Sequence, residues 1–429
     1  MRFVAFLLVL FLVLGFVKAQ DPDDDDPRWP DDPDDDPPRW TTTTRRGPTQ
    51  RPTPTSDPTT PSTTSQLPPD ETDEPEPPLP TGVDAFANAT VYQPEDSTHH
   101  LISPRTENMP NKTILAVWND PQQTNDTLPV YQSTNSGFSW YSYGTVTSNV
   151  AGRRLLEPYL LYVNGTWGGE TNLTLLAVNA VDDKSTNIEL YASGDNGATF
   201  DFVHRVAEGG PATGTTGSTA VGEPSMVLHD KRLTVYYSDQ RDAQHAQKIV
   251  HQSTSDMWEN WGTAIDVAAS DVVTDRAGMT SIAMLPNNQY IIAFELIQSS
   301  NSSSEKSSTY FKLTSTPENV GTERMQEVTT STGRKSQGAS YVTWSPVGGA
   351  NGTIVLSDSV SNSVFVNQAL GEGVWREIKT TAGRAYGREV RVVPDDQSKL
   401  RFATGAEDAE TSSDILVTVM DLGKALAAA

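Results

Sequence analysis

Two glutamates sit where an ionised side chain has no ordinary reason to be. Glu295 falls inside the apolar run Ile291-Ile292-Ala293-Phe294-Glu295-Leu296, and Glu223 lies in Ala220-Val221-Gly222-Glu223-Pro224, after a Gly/Thr-rich stretch at 209–217. A carboxylate enclosed by apolar neighbours needs a partner or takes a raised pKa, and both outcomes gather at active sites. Each glutamate alone is equally well explained by an ion pair with an arginine. As a pair they supply what breaking a glycosidic bond requires. One carboxyl protonates the leaving oxygen while the other attacks the sugar or activates water, and their separation sets retention or inversion.

Other side chains could serve the same chemistry. Tyr386, in Ala385-Tyr386-Gly387-Arg388, could donate a hydrogen bond to an attacking carboxylate or be a core aromatic. Arg105 and Arg388 could hold sugar hydroxyls or a substrate carboxylate, or pair structurally. The run Tyr236-Tyr237-Ser238-Asp239-Gln240-Arg241-Asp242 is dense in polar groups, and places at least one of its acids in a substrate network unless Asp239 simply pairs with Arg241. His245 and His251 lack the i, i+4 spacing of a helical zinc site, so no metal is expected. No phosphate loop, dinucleotide fingerprint or nucleophile elbow stands in a credible context, and no cofactor is expected.

These residues need a scaffold that brings distant segments together, and a repeat supplies one. Ser133-Thr134-Asn135-Ser136-Gly137-Phe138-Ser139-Trp140 recurs as Ser193-Gly194-Asp195-Asn196-Gly197-Ala198-Thr199-Phe200. A degenerate copy, Thr254-Ser255-Asp256-Met257-Trp258-Glu259-Asn260-Trp261, follows at the same spacing of about sixty residues. The pattern is that of a tight turn: Asp/Asn caps the backbone, Gly supplies positive φ, and the aromatic buries itself under neighbouring strands.

Paired apolar runs confirm the period, with second members near Thr113, Leu173, Leu233, Tyr290, Thr353 and Leu400, each after a turn. The fold expected is all-β, a six-bladed β-propeller with four short strands per blade and almost no helix. A β-sandwich or β-helix does not require six such units. The first strands then start at Arg105, Glu157, Glu223, Thr280, Ser340 and Arg388, and the second strands end near Asp120, Asp239 and Glu295. Charges at equivalent blade positions would meet at the channel mouth.

Around the propeller (83–429) the composition changes. Residues 1–20 read as a signal peptide, with Arg2, an apolar core from Phe3 to Val17 and Ala19 at the cleavage position, so the protein is expected to be secreted without a membrane anchor. Residues 21–82, made of Asp, Pro and Thr, hold too few apolar side chains to fold and read as a disordered stalk. The net charge of −24 is spread over both parts and argues against nucleic acid as a partner. Cysteine is absent, which removes thiol chemistry. Asn-x-Ser/Thr sites at Asn88, Asn111, Asn125, Asn164, Asn172, Asn301 and Asn351 suit a secreted glycoprotein. A monomer is expected, since a closed ring leaves no obligatory free edge.

The repeat turns resemble the Asp boxes of the sialidase superfamily. From about Leu156 to Arg391 the chain resembles more specifically the secreted fungal exo-α-1,5-L-arabinanases of glycoside hydrolase family 93, which are six-bladed propellers releasing arabinobiose from arabinan ends with retention. The segments that carry the likeness are GEPSMVLHDKRLTVYYSDQRDAQHAQKIVHQSTSD, TDRAGM with LPNNQYIIAFE, GGANGTIVLSD, VFVNQALGEG and RAYGREVRVVPDD. The resemblance implies that Glu223 and Glu295 are the catalytic pair, with Glu295 as nucleophile and Glu223 as acid/base or the two exchanged. It puts Tyr386 and Arg388 in an active-site segment and Asp275-Arg276 on a nearby loop. The chain departs from the family where Gly222 and Ser225 replace aromatics, and the first blade, around Ser103-Pro104-Arg105, matches less well. The expected function is thus hydrolysis of arabinan or a related oligosaccharide or polysaccharide. A non-catalytic carbohydrate-binding propeller is the alternative, and a sialidase using Arg105, Arg241 and Arg388 on a substrate carboxylate is a third.

Overall fold

The computed structural model describes residues 83–96, 98–212, 218–299, 306–407 and 414–428. The expected signal peptide and stalk, and Asn301, lie outside them.

Six four-stranded antiparallel sheets follow one another along the chain. Blade 1 comprises Ile102–Asn108, Ile114–Asn119, Thr127–Ser133 and Tyr141–Thr147. Blade 2 comprises Arg154–Tyr162, Thr174–Val181, Thr186–Ser193 and Asp201–Gly209. Blade 3 follows with Val221–His229, Arg232–Asp239, Lys248–Thr254 and Ile265–Ala268. Blade 4 uses Arg276–Met284, Tyr290–Gln298, Lys306–Thr314 and Gln326–Glu327. Blade 5 uses Val342–Ser345, Thr353–Ser357, Ser363–Asn367 and Arg376–Lys379. Blade 6 takes three strands from the C-terminal end, Glu389–Val393, Asp396–Thr404 and Ile415–Asp421, and its fourth from the other end of the domain, Asp84–Tyr92. That closing strand pairs antiparallel with Ile415–Asp421, Ala89 opposite Val417.

The first strand of each blade abuts those of its neighbours, and the first strand of blade 6 meets that of blade 1, so the inner strands close a ring. The second strands pack between sheets on both faces. Ile114–Asn119, Thr174–Val181 and Thr353–Ser357 are buried along their whole length, which is why they read as unbroken apolar runs rather than alternating ones. Leu115 and Val117 of blade 1 share a core with Leu160, Leu176 and Val178 of blade 2, and Ile291 and Ala293 of blade 4 with Ile354 and Leu356 of blade 5. Among the described residues helix is confined to a short 3-10 turn, Pro317–Thr322, and the terminal Leu422–Ala428. Among the described residues no helix is long and apolar enough to cross a membrane.

The repeat turns link the third and fourth strands of blades 1, 2 and 3. In the first, Ser133 Oγ accepts the Gly137 N–H (2.9 Å), Asn135 Oδ1 accepts the Ser139 N–H (2.9 Å) and Trp140 Nε1 donates to Gly137 O (2.9 Å). The second repeats the first two bonds through Ser193 and Asp195. In the degenerate copy Asp256 still caps Asn260 N–H (3.0 Å), and Trp258 takes the glycine's place at φ +67°. Blade 5 holds a turn the sequence reading missed: Asn367 Oδ1 accepts the N–H groups of Ala369 and Gly371, with Gly371 at φ +93°. Six of the Asn-x-Ser/Thr asparagines, Asn88, Asn111, Asn125, Asn164, Asn172 and Asn351, are exposed.

Candidate active site

Four consecutive inner strands carry the same irregularity. Register slips between Ile102 and Arg105, Leu156 and Tyr159, Gly222 and Ser225, and Gly278 and Ser281 mark bulges in blades 1 to 4. Each slip holds a residue in the left-handed region: Ser103 (φ +48°), Glu157 (+51°), Glu223 (+56°) and Met279 (+55°). A non-glycine residue there costs on the order of 1 kcal/mol or more, and such outliers gather at functional sites. A bulge re-aims its side chain, and here it turns glutamates out of the ladder. Gly387, at φ +64°, precedes the inner strand of blade 6.

The bulges surround one cavity of about 390 Å³, counting its open mouth. Ser103 and Arg105 of blade 1, Glu157 and Tyr159 of blade 2, Glu223 of blade 3, Met279 and Thr280 of blade 4, and Tyr386 before blade 6 line it.

Side-chain acceptors of one blade hold the bulge N–H of the next. Asn119 Oδ1 accepts the Glu157 N–H at 3.3 Å; Glu157 Oε2 accepts the Glu223 N–H at 2.7 Å; Glu223 Oε2 accepts the Met279 N–H at 2.9 Å. Asn179 Nδ2 also donates to Glu157 Oε2 (3.0 Å), and Ser238 Oγ to Glu223 Oε2 (2.5 Å). Burial and then the Glu223 charge push the Glu157 carboxyl up to about 7. Burial also raises Glu223, against the Ser238 and Met279 donors and the Arg276 guanidinium.

Glu295 is buried, 2% exposed, on the second strand of blade 4, and Ser307 Oγ donates to its Oε1 at 2.5 Å. Its cross-strand partner is Gly278. A β-carbon on Gly278 would collide with Glu223 Oε2, Gln247 Nε2 and Ser238 Oγ, so only glycine leaves the Glu223 carboxyl its place. Side chains of opposite residues project to one side of a sheet with β-carbons about 5 Å apart. Glu223 Oε2 therefore lies beside Glu295. Tyr386 completes the cluster: burial, then the charges of Glu295, Glu223 and Glu157, hold its phenol well above the usual range, so it remains an O–H donor.

The arginines divide. Arg105 Nη1 donates to Pro104 O (2.8 Å) and Gly387 O (2.7 Å), and its guanidinium lies 5.2 Å over the Tyr341 ring, in the cavity wall. Arg276 faces the carboxyl cluster, since its charge acts on both Glu223 and Tyr386. Arg388, expected at the substrate, is fully buried; it donates to the carbonyls of Ala382 (3.4 Å), Gly383 (3.2 Å) and Ser363 and does not line the cavity. Its charge ties the loop before blade 6 to blade 5. Asp239 is likewise corrected: Arg241 clasps its carboxylate through Nε (2.9 Å) and Nη2 (2.7 Å), and neither residue lines the cavity. Asp275 braces a loop, accepting from Ser270 Oγ (2.7 Å) and the Ser299 N–H (3.1 Å).

Asn119, Asn179, Ser238, Gln247, Met279 and Ser307 were not foreseen. One signal was available for the bulges: Ser103-Pro104, Glu157-Pro158 and Glu223-Pro224 repeat an X-Pro step at the start of three inner strands. Gly222 and Ser225 also find their explanation. Ser225 is fully buried with its hydroxyl 2.5 Å from Thr280 Oγ1, and a β-carbon on Gly222 would lie 2.9 Å from Glu157 Oε2. Glu157 and Asn179 fill the space a side chain at 222 would need.

No protein-family model and no curated protein matches the chain. Among solved structures it is similar to the Penicillium chrysogenum α-L-arabinanase complexed with arabinobiose, with a TM-score of 0.73 and 34% identity, covering 79% of this chain and 98% of that one. The family 93 glycoside hydrolase α-L-arabinofuranosidase of Fusarium graminearum, solved with arabinobiose, gives a TM-score of 0.75 and 29% identity over 80% of this chain and 100% of that one. A Hadza microbial sialidase, at 9% identity and a TM-score of 0.54 over 78% of this chain and 68% of that one, shares the fold alone.

Proposed function

Since the chain belongs to glycoside hydrolase family 93, we propose that it is a retaining exo-acting hydrolase of α-1,5-linked arabinan, with Glu223 and Glu295 as its reacting carboxyls. The observation that carries this reading is the cluster of Glu157, Glu223 and Tyr386 in the cavity wall, with Glu295 buried directly behind it on the strand paired with Gly278. A Glu295 β-carbon one strand from the Gly278 position that Glu223 covers favours the short carboxyl separation of about 5 Å that retention requires. A compact cavity, rather than an open groove, favours attack at chain ends. Binding and orientation of the substrate fall to Arg105 and Arg276, while Glu157 stands in the cavity wall beside the Glu223 backbone.

The donors suggest the roles. Glu223 Oε2 takes an O–H and an N–H, a combination that favours a carboxylate and fixes its direction. Glu223 is then the nucleophile, which reverses the order preferred from the sequence. It attacks the anomeric carbon while Glu295 delivers its proton to the leaving oxygen; Glu295 next takes a proton from water, whose oxygen releases the sugar from Glu223. Tyr386 steadies the nucleophile by hydrogen bonding and stays protonated throughout.

The test is incubation of the purified protein with linear arabinan. Arabinobiose release is expected, falling about 10³-fold or more in Glu223→Gln and in Glu295→Gln. Azide assigns the roles: Glu295→Ala with azide should yield glycosyl azide of retained configuration and Glu223→Ala the inverted one. Binding of arabinan without turnover would overturn the proposal in favour of a carbohydrate-binding propeller. A sialidase reading finds little support, because Arg241 and Arg388 are engaged away from the cavity.

A further inference from the structure

We propose that Glu157 is a positioning residue that works as a neutral acid: its Oε2 anchors the Glu223 backbone while its Oε1 carries the one proton the two carboxyls share. The proposal rests on Glu223 being a reacting carboxyl.

Each carboxyl takes its donors on one oxygen and leaves the other open. Both donors to Glu157, the Glu223 N–H at 2.7 Å and Asn179 Nδ2 at 3.0 Å, converge on Oε2. Oε1 is left to bear a hydrogen, as in a protonated acid. Both donors to Glu223 likewise meet its Oε2. Two carboxyls joined through one backbone amide in a shared cavity cannot both ionise cheaply, so one proton stays with the pair below neutrality. Glu223 has two donors and the Arg276 charge to favour its ionised form. Glu157 has amide donors only, and the Glu223 charge holds its proton on.

Other charged groups around the pair do not reverse this order. Arg105 and Tyr159 share the cavity wall with Glu157, and Arg105 spends Nη1 on two carbonyls. Tyr386 is a neutral phenol and adds no charge to the pair. The anchored N–H belongs to a residue held at φ +56°, a conformation needing outside support. Glu157 therefore acts on catalysis through the backbone of Glu223 and touches no reacting atom.

Two substitutions separate anchoring from charge. In Glu157→Gln the amide oxygen still accepts both donors and the NH₂ stands where the proton was. In Glu157→Ala the Glu223 N–H loses its acceptor. On linear arabinan at the pH optimum, Glu157→Gln should keep kcat within about threefold of the parent, and Glu157→Ala should lose roughly 10- to 100-fold in kcat with KM little changed. Infrared titration of the substrate-free protein should show a protonated-carboxyl band disappearing near pH 7 in the parent, reduced by one carboxyl in Glu157→Gln; thermal melting checks that each variant folds. A loss in Glu157→Gln as deep as in Glu157→Ala, full activity in Glu157→Ala, or no carboxyl titrating near neutrality would each overturn the assignment. The infrared experiment needs no substrate, so a parent inactive on arabinan would sink the hydrolase reading and leave this one to be judged separately.

Discussion

A single absent methyl group decides whether the carboxyls can gather. Gly278 has no β-carbon, and the Glu223 Oε2 atom occupies the place one would take. Gly278→Ala should cut kcat by roughly 10- to 100-fold with little change in melting temperature, because the steric conflict falls on the end of a flexible side chain rather than on the core. Loss of stability equal to the loss of activity would show that the glycine serves the strand and not the site. Tyr386 makes a separate prediction. Tyr386→Phe keeps the ring but removes the donor, and a drop in kcat of about tenfold or more is expected. Unchanged kinetics would make it a core aromatic. Glu223 and Glu295 were legible in the sequence because a carboxylate in an apolar context is conspicuous. Asn179, Ser238 and Ser307 were not, since short polar residues in strands look alike until the register is known. Arg388 could hold substrate or pair structurally on its sequence alone, and its partners are main-chain carbonyls, which leave no trace in side-chain types.

Strands and turns set where those side chains point. The six-strand-pair pattern and the Asp-box spacing predicted the blades, because a strand covered on both faces must be apolar throughout and a tight turn needs Gly and Asp/Asn. The Asn367 turn escaped notice since its spacing to Gly371 carries no Ser/Thr at the usual place. Bulges are slips in pairing, and the X-Pro step repeated in three inner strands was their one trace in the sequence. The degenerate turn of blade 3 offers a test in which two effects compete. Trp258→Gly relieves a left-handed residue worth about 1 kcal/mol. It also removes the Trp258 ring, which packs edge-on against Trp167 at 5.6 Å, a contact between blades worth more when truncated, about 3 kcal/mol. Net destabilisation of about 2 kcal/mol is expected in chemical denaturation; a more stable variant would mean the turn, not the packing, dominates.

For the molecule as a whole, stability should peak in mildly acidic solution. Burial raises the carboxyls of Glu157 to about 7 and Asp358 to about 6, and raises Glu107 as well. A group raised on folding stabilises fully below its unfolded pKa, and that contribution is lost as pH climbs through the folded value. Asp182 and Asp195, lowered by their hydrogen bonds despite burial, contribute above the unfolded value and lose it as pH falls through the folded one. The melting temperature should therefore be highest at about pH 4–5, decline by several degrees toward pH 8, and decline less in Glu157→Gln. A melting temperature that rises steadily to pH 8 would contradict the buried-carboxyl account.

Blade 6 also imposes an order of events on the living chain. Its outer edge is synthesised first and its other three strands last, so Asp84–Tyr92 must wait for Ile415–Asp421 to leave the ribosome before it has anything to pair with. Nascent forms are necessarily open at one seam, and the cavity, lined by Arg105 of blade 1 on one side and by Tyr386 before blade 6 on the other, cannot close until the end is made. A truncation at the tail is then a defect at the head: it orphans the first strand of the domain, and opens the cavity with it.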